Sequence, residues 1–300
     1  MDLDALARCL GGASCIVTQV TSGMIIGMLL FLIASGVTLI FGVLNITNFA
    51  HGSLYMAGAY FALTLYRLTG DYFLAAIGAS LGVGIVGILF ERFLMSRVYG
   101  SNVLMQLLVC YAVILIFDDL AKIIWGPSAL SMGMPKEFRL PPYRIFGGVV
   151  PPFYLFLIGA AIAIGIGLWL VIGFTRFGKI VRAAAVNAPM VSALGIRVNL
   201  YFAAVFGVGA ALAGAAGALA APVRSLTPGM GFSILIESFI VTVIGGMGSI
   251  IGAFVAAILL GVTRSFGSIG FPLFVDGIMF LIMALVLIFK PSSLFGRSHA

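Results

Sequence analysis

Apolar runs long enough to cross a membrane alternate with short polar breaks along almost the whole chain. The first long run, Val17 to Tyr66, contains no Lys, Arg, Asp or Glu, yet its middle reads Asn45-Ile46-Thr47-Asn48-Phe49-Ala50-His51-Gly52-Ser53. A hydrocarbon core about 30 Å thick takes about 20 apolar residues per helix. The run therefore predicts two helices, Val17–Phe41 and Ala50–Tyr66, with the polar segment at their junction. Further helices are predicted over Phe73–Phe90, Val103–Phe117, Phe153–Phe174, Leu200–Ala221 and Phe271–Phe289. The stretch Phe232–Thr263 is interrupted by Gly245-Gly246-Met247-Gly248-Ser249. It is long for one helix and short for two full spans, so it predicts a pair of half-helices or a re-entrant hairpin. Residues 1–15 predict a short surface helix. Residues 118–152, rich in proline, predict a structured external loop.

Composition narrows this to one class. Hydrophobic residues make up 62% of the chain and charged residues 8%, against about 25% charged in a soluble domain. The fold class is all-α, a polytopic transmembrane bundle of about eight spans with broken or re-entrant segments. The 39 glycines fit close helix packing. Gly23/Gly27, Gly78/Gly82 and Gly248/Gly252 have the spacing of a packing face, a spacing that chance also produces in so Gly-rich a chain. The net charge of +7 reflects Lys and Arg in cytoplasmic loops rather than affinity for nucleic acid. Cys9, Cys15 and Cys110 have no metal-ligand spacing, and Cys110 reads as a small packing residue. The N-terminus lacks the basic start of a cleaved signal peptide.

Charge also orients the chain. Arg176, Lys179, Arg182 and Arg197 share one segment without an acid, which marks it as cytoplasmic. Counting back places Arg92 and Arg97 inside, with the Pro-rich loop and the N-terminus outside. Lys290 and Arg297 favour a cytoplasmic C-terminus, which holds only if Phe232–Thr263 returns to its starting side; a single crossing would put it outside.

Polar side chains within a membrane face a cavity, a pore or another helix. Asn45, Thr47, Asn48, His51 and Ser53, with the break at Gly245, Gly246 and Gly248, are thus the candidate translocation pathway. The alternative is structural: Asn45 and Asn48 capping helix ends and His51 bonded to a backbone carbonyl. In the cytoplasmic segment Asn187 and Pro189 mark a helix start and Gly195 its stop. This predicts a short helix of about six residues, either a docking element or an amphipathic linker. Glu237 either faces water or Arg224, or takes part in gating. Asp276 reads as an interfacial acid. There is no phosphate-binding loop, since Gly178-Lys179 is followed by Ile180. Nor do His51 and His299 belong to a catalytic or metal constellation.

The run Gly36 to Tyr60, with its Asn48-Phe49-Ala50-His51-Gly52 core, resembles the signature of branched-chain amino acid ABC transporter permeases. Arg182, Asn187, Ala193, Leu194 and Gly195 match the family's ATPase-facing loop, and Gly245 to Ala253 is similar to a third hallmark. The resemblance covers about Ile16 to Phe289. It implies one permease domain over 1–300: a helical group at 16–117, an external loop at 118–152, a span at 153–175, a coupling loop at 176–199 and a second helical group at 200–289. It further implies a multi-pass importer subunit of the bacterial inner membrane, without enzymatic activity or cofactor of its own. Two cytoplasmic ATPase subunits would carry ATP and magnesium. A second permease subunit and a periplasmic solute-binding protein would complete the system. Arg182, Asn187, Pro189, Ala193, Leu194 and Gly195 are then the expected coupling residues. A secondary transporter or channel for small polar solutes is the rival reading; the former commonly needs buried acids, which are few here.

Overall fold

The computed structural model describes residues 3–290, and they are helical apart from loops and one hairpin. The helices are α1 (Leu3–Leu10), α2 (Ala13–Leu44), α3 (His51–Thr69), α4 (Tyr72–Phe90), α5 (Val103–Trp125), α6 (Pro152–Phe174), α7 (Arg176–Ala193), α8 (Val198–Ala220), α9 (Met230–Gly245), α10 (Ile250–Gly270) and α11 (Val275–Phe289). A π-turn at Glu91–Met95 and a last turn at Ser96–Val98 extend α4. Strands β1 (Tyr143–Ile145) and β2 (Gly148–Val150) pair antiparallel. Their two-residue turn, Phe146-Gly147, has positive φ at both positions, as the twist of a tight hairpin requires.

Among the described residues, α2, α4 with its extension, α6, α8, α10 and α11 with its short lead-in are long and apolar enough to cross a membrane. The polar start of α3 and the sixteen-residue length of α9 keep those two outside that class. The centre is built on α2. Its Gly23 and Gly27 sit against Gly261, Val262, Ala257 and Ile258 of an antiparallel α10; a Cβ on Gly27 would lie 2.8 Å from the Ala257 carbonyl oxygen. The Gly23/Gly27 spacing is therefore a true packing face. On its other sides α2 meets α8, which in turn packs against α3 and α4 through small residues.

The basic segment at Arg176–Arg197 defines the inner face. The outer face carries α1, the hairpin and the Pro-rich loop. Gly148 packs against Ser14 and Val17 at the start of α2, so the N-terminus and that loop share one side, as charge predicted. Phe138 is locked among Tyr72, Phe153 and Phe156. Cys9 and Cys15 form a disulfide there, a bond suited to an oxidising compartment that their spacing alone did not predict. Cys110 is free and buried, the packing residue expected.

The structure differs from the pattern in three places. α5 runs on from Phe117 to Trp125, where Ala121 is buried, Trp125 packs on Tyr60 and its Nε1 donates to Thr64 Oγ1 at 2.8 Å; the loop begins only at Gly126. The cytoplasmic segment holds the expected short helix after Asn187, but what precedes it is a second helix from Arg176 rather than a loop. The helix after the Gly-rich break continues past Thr263 to Gly270, a full 21-residue span. That last difference decides the fate of the stretch. α9 runs inward, α10 returns along α2, and α11 turns back with Val275 beside Gly267. Lys290 thus ends on the inner face; Arg297 and His299 lie outside the described residues.

Candidate functional site

The Asn45–Ser53 segment breaks the membrane path deep inside the bundle. α2 stops at Asn45, which adopts a left-handed conformation (φ 55°) and donates its N–H to the Phe41 carbonyl at 2.8 Å, a common way to end a helix. Asn48 then precedes α3, its Oδ1 accepting from the Ala50 N–H at 3.0 Å and facing the Cys110 Sγ at 3.8 Å. Cys110 lies about two turns into α5. The His51 ring lies against Gly36 of α2, its Nε2 2.7 Å from where a Gly36 Cβ would stand. Gly36 is eight residues before the end of α2, about 12 Å of helix rise. The chain therefore turns back into the bundle before α3 begins, which makes α3 a re-entrant start rather than a new span from the surface.

Polar groups are left over at this junction. Thr38 Oγ1, Asn48 Nδ2, both His51 nitrogens and Ser53 Oγ are buried without a hydrogen-bond partner in the protein. An unmet buried donor or acceptor costs about 1–3 kcal/mol, so five such atoms are unusual for a purely structural joint. Asn45 caps the end of α2, as the structural alternative expected, while Asn48 turns the chain just ahead of α3, whose N-cap is Ala50 with no side-chain cap. The His51 ring stands beside the Ile33 backbone carbonyl of α2, the kind of neighbour that alternative required, although neither ring nitrogen makes a hydrogen bond of ordinary geometry.

The second break meets the first. Gly246 and Gly248 have φ of 102° and 92°, a region that favours glycine. Ser249 Oγ caps α10 by accepting from the Gly252 N–H at 3.1 Å. A Cβ on Gly42, three residues before Asn45, would lie 3.0 Å from the Gly248 Cα. Asn45, Met247 and Gly248 are exposed at this inner rim, Thr47 is half-buried, and Asn48, His51, Ser53, Gly245 and Gly246 face inward. On its outer side α9 begins beside α3, with Gly231 against Gly52.

Charges further out were only partly legible. Glu237 on α9 is buried and pairs with Arg264 of α10 rather than with Arg224. Asp276 lies 3.8 Å from the same guanidinium. Arg264 is the sole basic residue between Phe232 and Phe289, a signal that could have located the pair.

The inner face carries the second set of candidates. In α7 the backbone leaves helical geometry at Asn187 (φ −153°, ψ 87°), and the Asn187 Oδ1 accepts from the Met190 N–H at 3.0 Å. Gly195 ends the helix at φ 80°. The helix start and stop read from Asn187, Pro189 and Gly195 are thus in place, with a longer helical lead-in from Arg176. Arg182 points back at α6, donating to the Ile172 carbonyl and, at 3.2 Å, to that of Gly173. Phe177 stacks on Tyr201 of α8. Ala193 and Leu194 are exposed. Val186 (88% exposed), Met190 (66%) and Leu194 (74%) are large apolar side chains exposed along this segment. The first two were missed; Met190 and Leu194, four apart beyond the kink, share one helix face, and Val186 ends the helix before it.

A family model described as branched-chain amino acid transport system / permease component matches residues 19–288. The chain belongs to that family. It is 32% identical to the high-affinity branched-chain amino acid transport system permease protein BraD of Pseudomonas aeruginosa, over 93% of this chain and 95% of that protein. Similarity extends to LivH of Salmonella typhimurium, 28% identical over the same shares. A probable branched-chain amino acid transport permease protein LivH of Methanocaldococcus jannaschii is 29% identical over 89% of each chain. No solved structure matches. The protein is thus a multi-pass membrane permease subunit of a transport system.

Proposed function

We propose that this permease serves an ATP-driven importer of branched-chain amino acids or related small polar solutes in the bacterial inner membrane. The functions of its relatives support the substrate class. The observation that carries the ATP-driven reading is the exposed apolar pair Met190 and Leu194, with Val186 across the kink, on the charged inner face. Two large apolar side chains exposed on a helix sharply bounded by Asn187 and Gly195, with Val186 exposed at the end of the helix before it, call for a protein cover. Two ATPase subunits, holding ATP and magnesium, would dock there. A periplasmic binding protein would deliver solute outside. A second permease subunit, sister chain or copy, would complete the path.

In this reading a push on α7 passes to α6 through Arg182 and to α8 through the Phe177–Tyr201 stack. The solute crosses near the converging breaks, where Asn48, His51 and Ser53 offer unmet polar atoms and Asn45, Thr47, Gly245, Gly246 and Gly248 shape the inner rim. The decisive experiment reconstitutes the chain with its ATPases and partner permease in vesicles and follows labelled leucine. Accumulation that requires ATP and the binding protein is expected. Accumulation by this chain alone, or driven by an ion gradient without ATP, would replace the proposal with a secondary transporter.

A further inference from the structure

A cavity of about 490 Å³ opens on the inner face between the end of α4, the second half of α7 and the start of α8. Arg92, Pro189, Ser192, Arg197, Asn199 and Phe202 are among the residues that line it. Its charge is one-sided. No acid lines it, and neither arginine is salt-bridged among the described residues. The carboxylate beside Arg92 in sequence, Glu91, is turned inward, buried and accepting from the Tyr99 hydroxyl at 2.8 Å.

The direction in which the cavity faces selects its occupant. Ala188 and Ser192 lie two residues, about 200° of helix rotation, from Met190 and Leu194. The apolar pair assigned to the ATPase therefore points one way and the cavity wall the other, back toward the membrane. The surrounding surface is apolar at this level: Phe93 and Leu94 on the last turns of α4, and Leu200 on α8, are exposed. Paired arginines, a hydroxyl and a carboxamide beside apolar surface match an acidic headgroup whose chains stay in lipid. Arginine is well suited to phosphate through its planar fork of donors, and basic pockets between membrane helices on the cytoplasmic side take anionic headgroups.

We propose that this cavity binds the phosphodiester of an anionic phospholipid from the inner leaflet. Arg92 and Arg197 hold the phosphate oxygens, with Ser192 and Asn199 on the polar headgroup. The lipid then ties α4, α7 and α8 together directly behind the surface offered to the ATPase.

The test uses the complete transporter in detergent, loaded with spin-labelled phosphatidylglycerol and washed. Wild type is expected to retain the lipid, and the Arg92→Gln/Arg197→Gln variant to retain roughly tenfold less or lower, with ATPase subunits still co-purifying. Millimolar inorganic phosphate should leave the label in place. Equal retention by the variant overturns the proposal. Displacement by phosphate alone makes the cavity a free-anion site, and loss of the ATPase in place of the lipid gives the arginines to that partner. Should the double variant fail to assemble, Ser192→Trp decides, since it fills the cavity with both charges intact; normal retention there also overturns the proposal.

Discussion

Two helices of nearly equal hydropathy have opposite fates in this molecule. The most apolar window of α2 has a mean hydropathy of 2.6 and is 83% buried; that of α11 with its lead-in has 2.5 and is 11% buried. In water such a pair would compete for the same core. In a bilayer, lipid receives apolar surface as readily as protein does, so hydrophobicity does not separate inside from outside. What separates them is the ability to let another backbone approach. α2 has Gly23, Gly27 and Gly36 set against α10, α8 and the His51 ring, whereas Gly277 of α11 has nothing within 4 Å of its would-be Cβ.

The largest expected effect breaks the closer of the two surfaces. Gly27→Leu places a side chain where even a Cβ meets the Ala257 carbonyl, a backbone atom that cannot rotate aside. Overpacking that side chains can absorb costs about 1–3 kcal/mol, but here the clash is with backbone, so the whole α2–α10 contact is lost. The expected result is a loss of assembled transporter, read by size-exclusion chromatography and by a fall in the midpoint of thermal unfolding. Normal assembly would mean that α2 and α10 are free to separate.

Next in size is the charge pair that joins α9 to α10. Arg264→Leu leaves Glu237 buried without its cation, an arrangement expected to cost up to about 3–5 kcal/mol and less to the extent that water reaches the partly exposed site. Glu237→Leu added to it should restore much of the thermal stability, because the uncompensated charge is gone. A double variant no better than the single one would assign the stability to Arg264 alone.

A third effect should touch coupling and spare stability. Met190→Glu/Leu194→Glu alters only exposed positions, so unfolding should shift little, within about 0.5 kcal/mol. Uptake should fall steeply relative to ATP hydrolysis by the assembled complex. Uptake and hydrolysis both at wild-type levels would remove α7 from the docking role.

The same contrast explains what the sequence made legible. Span positions followed from apolar runs, and the orientation from four basic residues at Arg176–Arg197, since both are local properties of composition. The helix stop at Gly195 and the start at Asn187 were readable because capping is chemistry within one turn. The Glu237–Arg264 pair was not read, since it joins residues on two helices whose register depends on Gly245, Gly252 and the turn between them. The extension of α5 to Trp125 was missed because two adjacent acids look like a boundary, and what holds the last turns is the contact of Trp125 with Tyr60 and Thr64 on another helix. The depth of the Asn45–Ser53 segment was likewise invisible. Whether a polar break lies at the surface or 12 Å inside depends on whether α3 starts level with the end of α2 or with Gly36, and only packing sets that.

The smallest expected effect tests the outer member of the comparison. Gly277→Leu adds a large apolar side chain at a position with open space around it, and the substitution also improves helix propensity. If α11 faces lipid there, thermal stability should change by no more than about 0.5 kcal/mol and uptake should stay at the wild-type level. The alternative is specific. A second permease subunit covering this face would meet the new side chain, and the change would then weaken association of the two subunits while this chain alone stayed as stable as before. Measuring subunit association beside single-chain unfolding separates the two cases. A neutral result leaves α11 at the lipid boundary, so that the 11% burial of its window describes the assembled transporter. A loss confined to association would instead place the partner on α11 and move the subunit interface to the helix that looks least engaged.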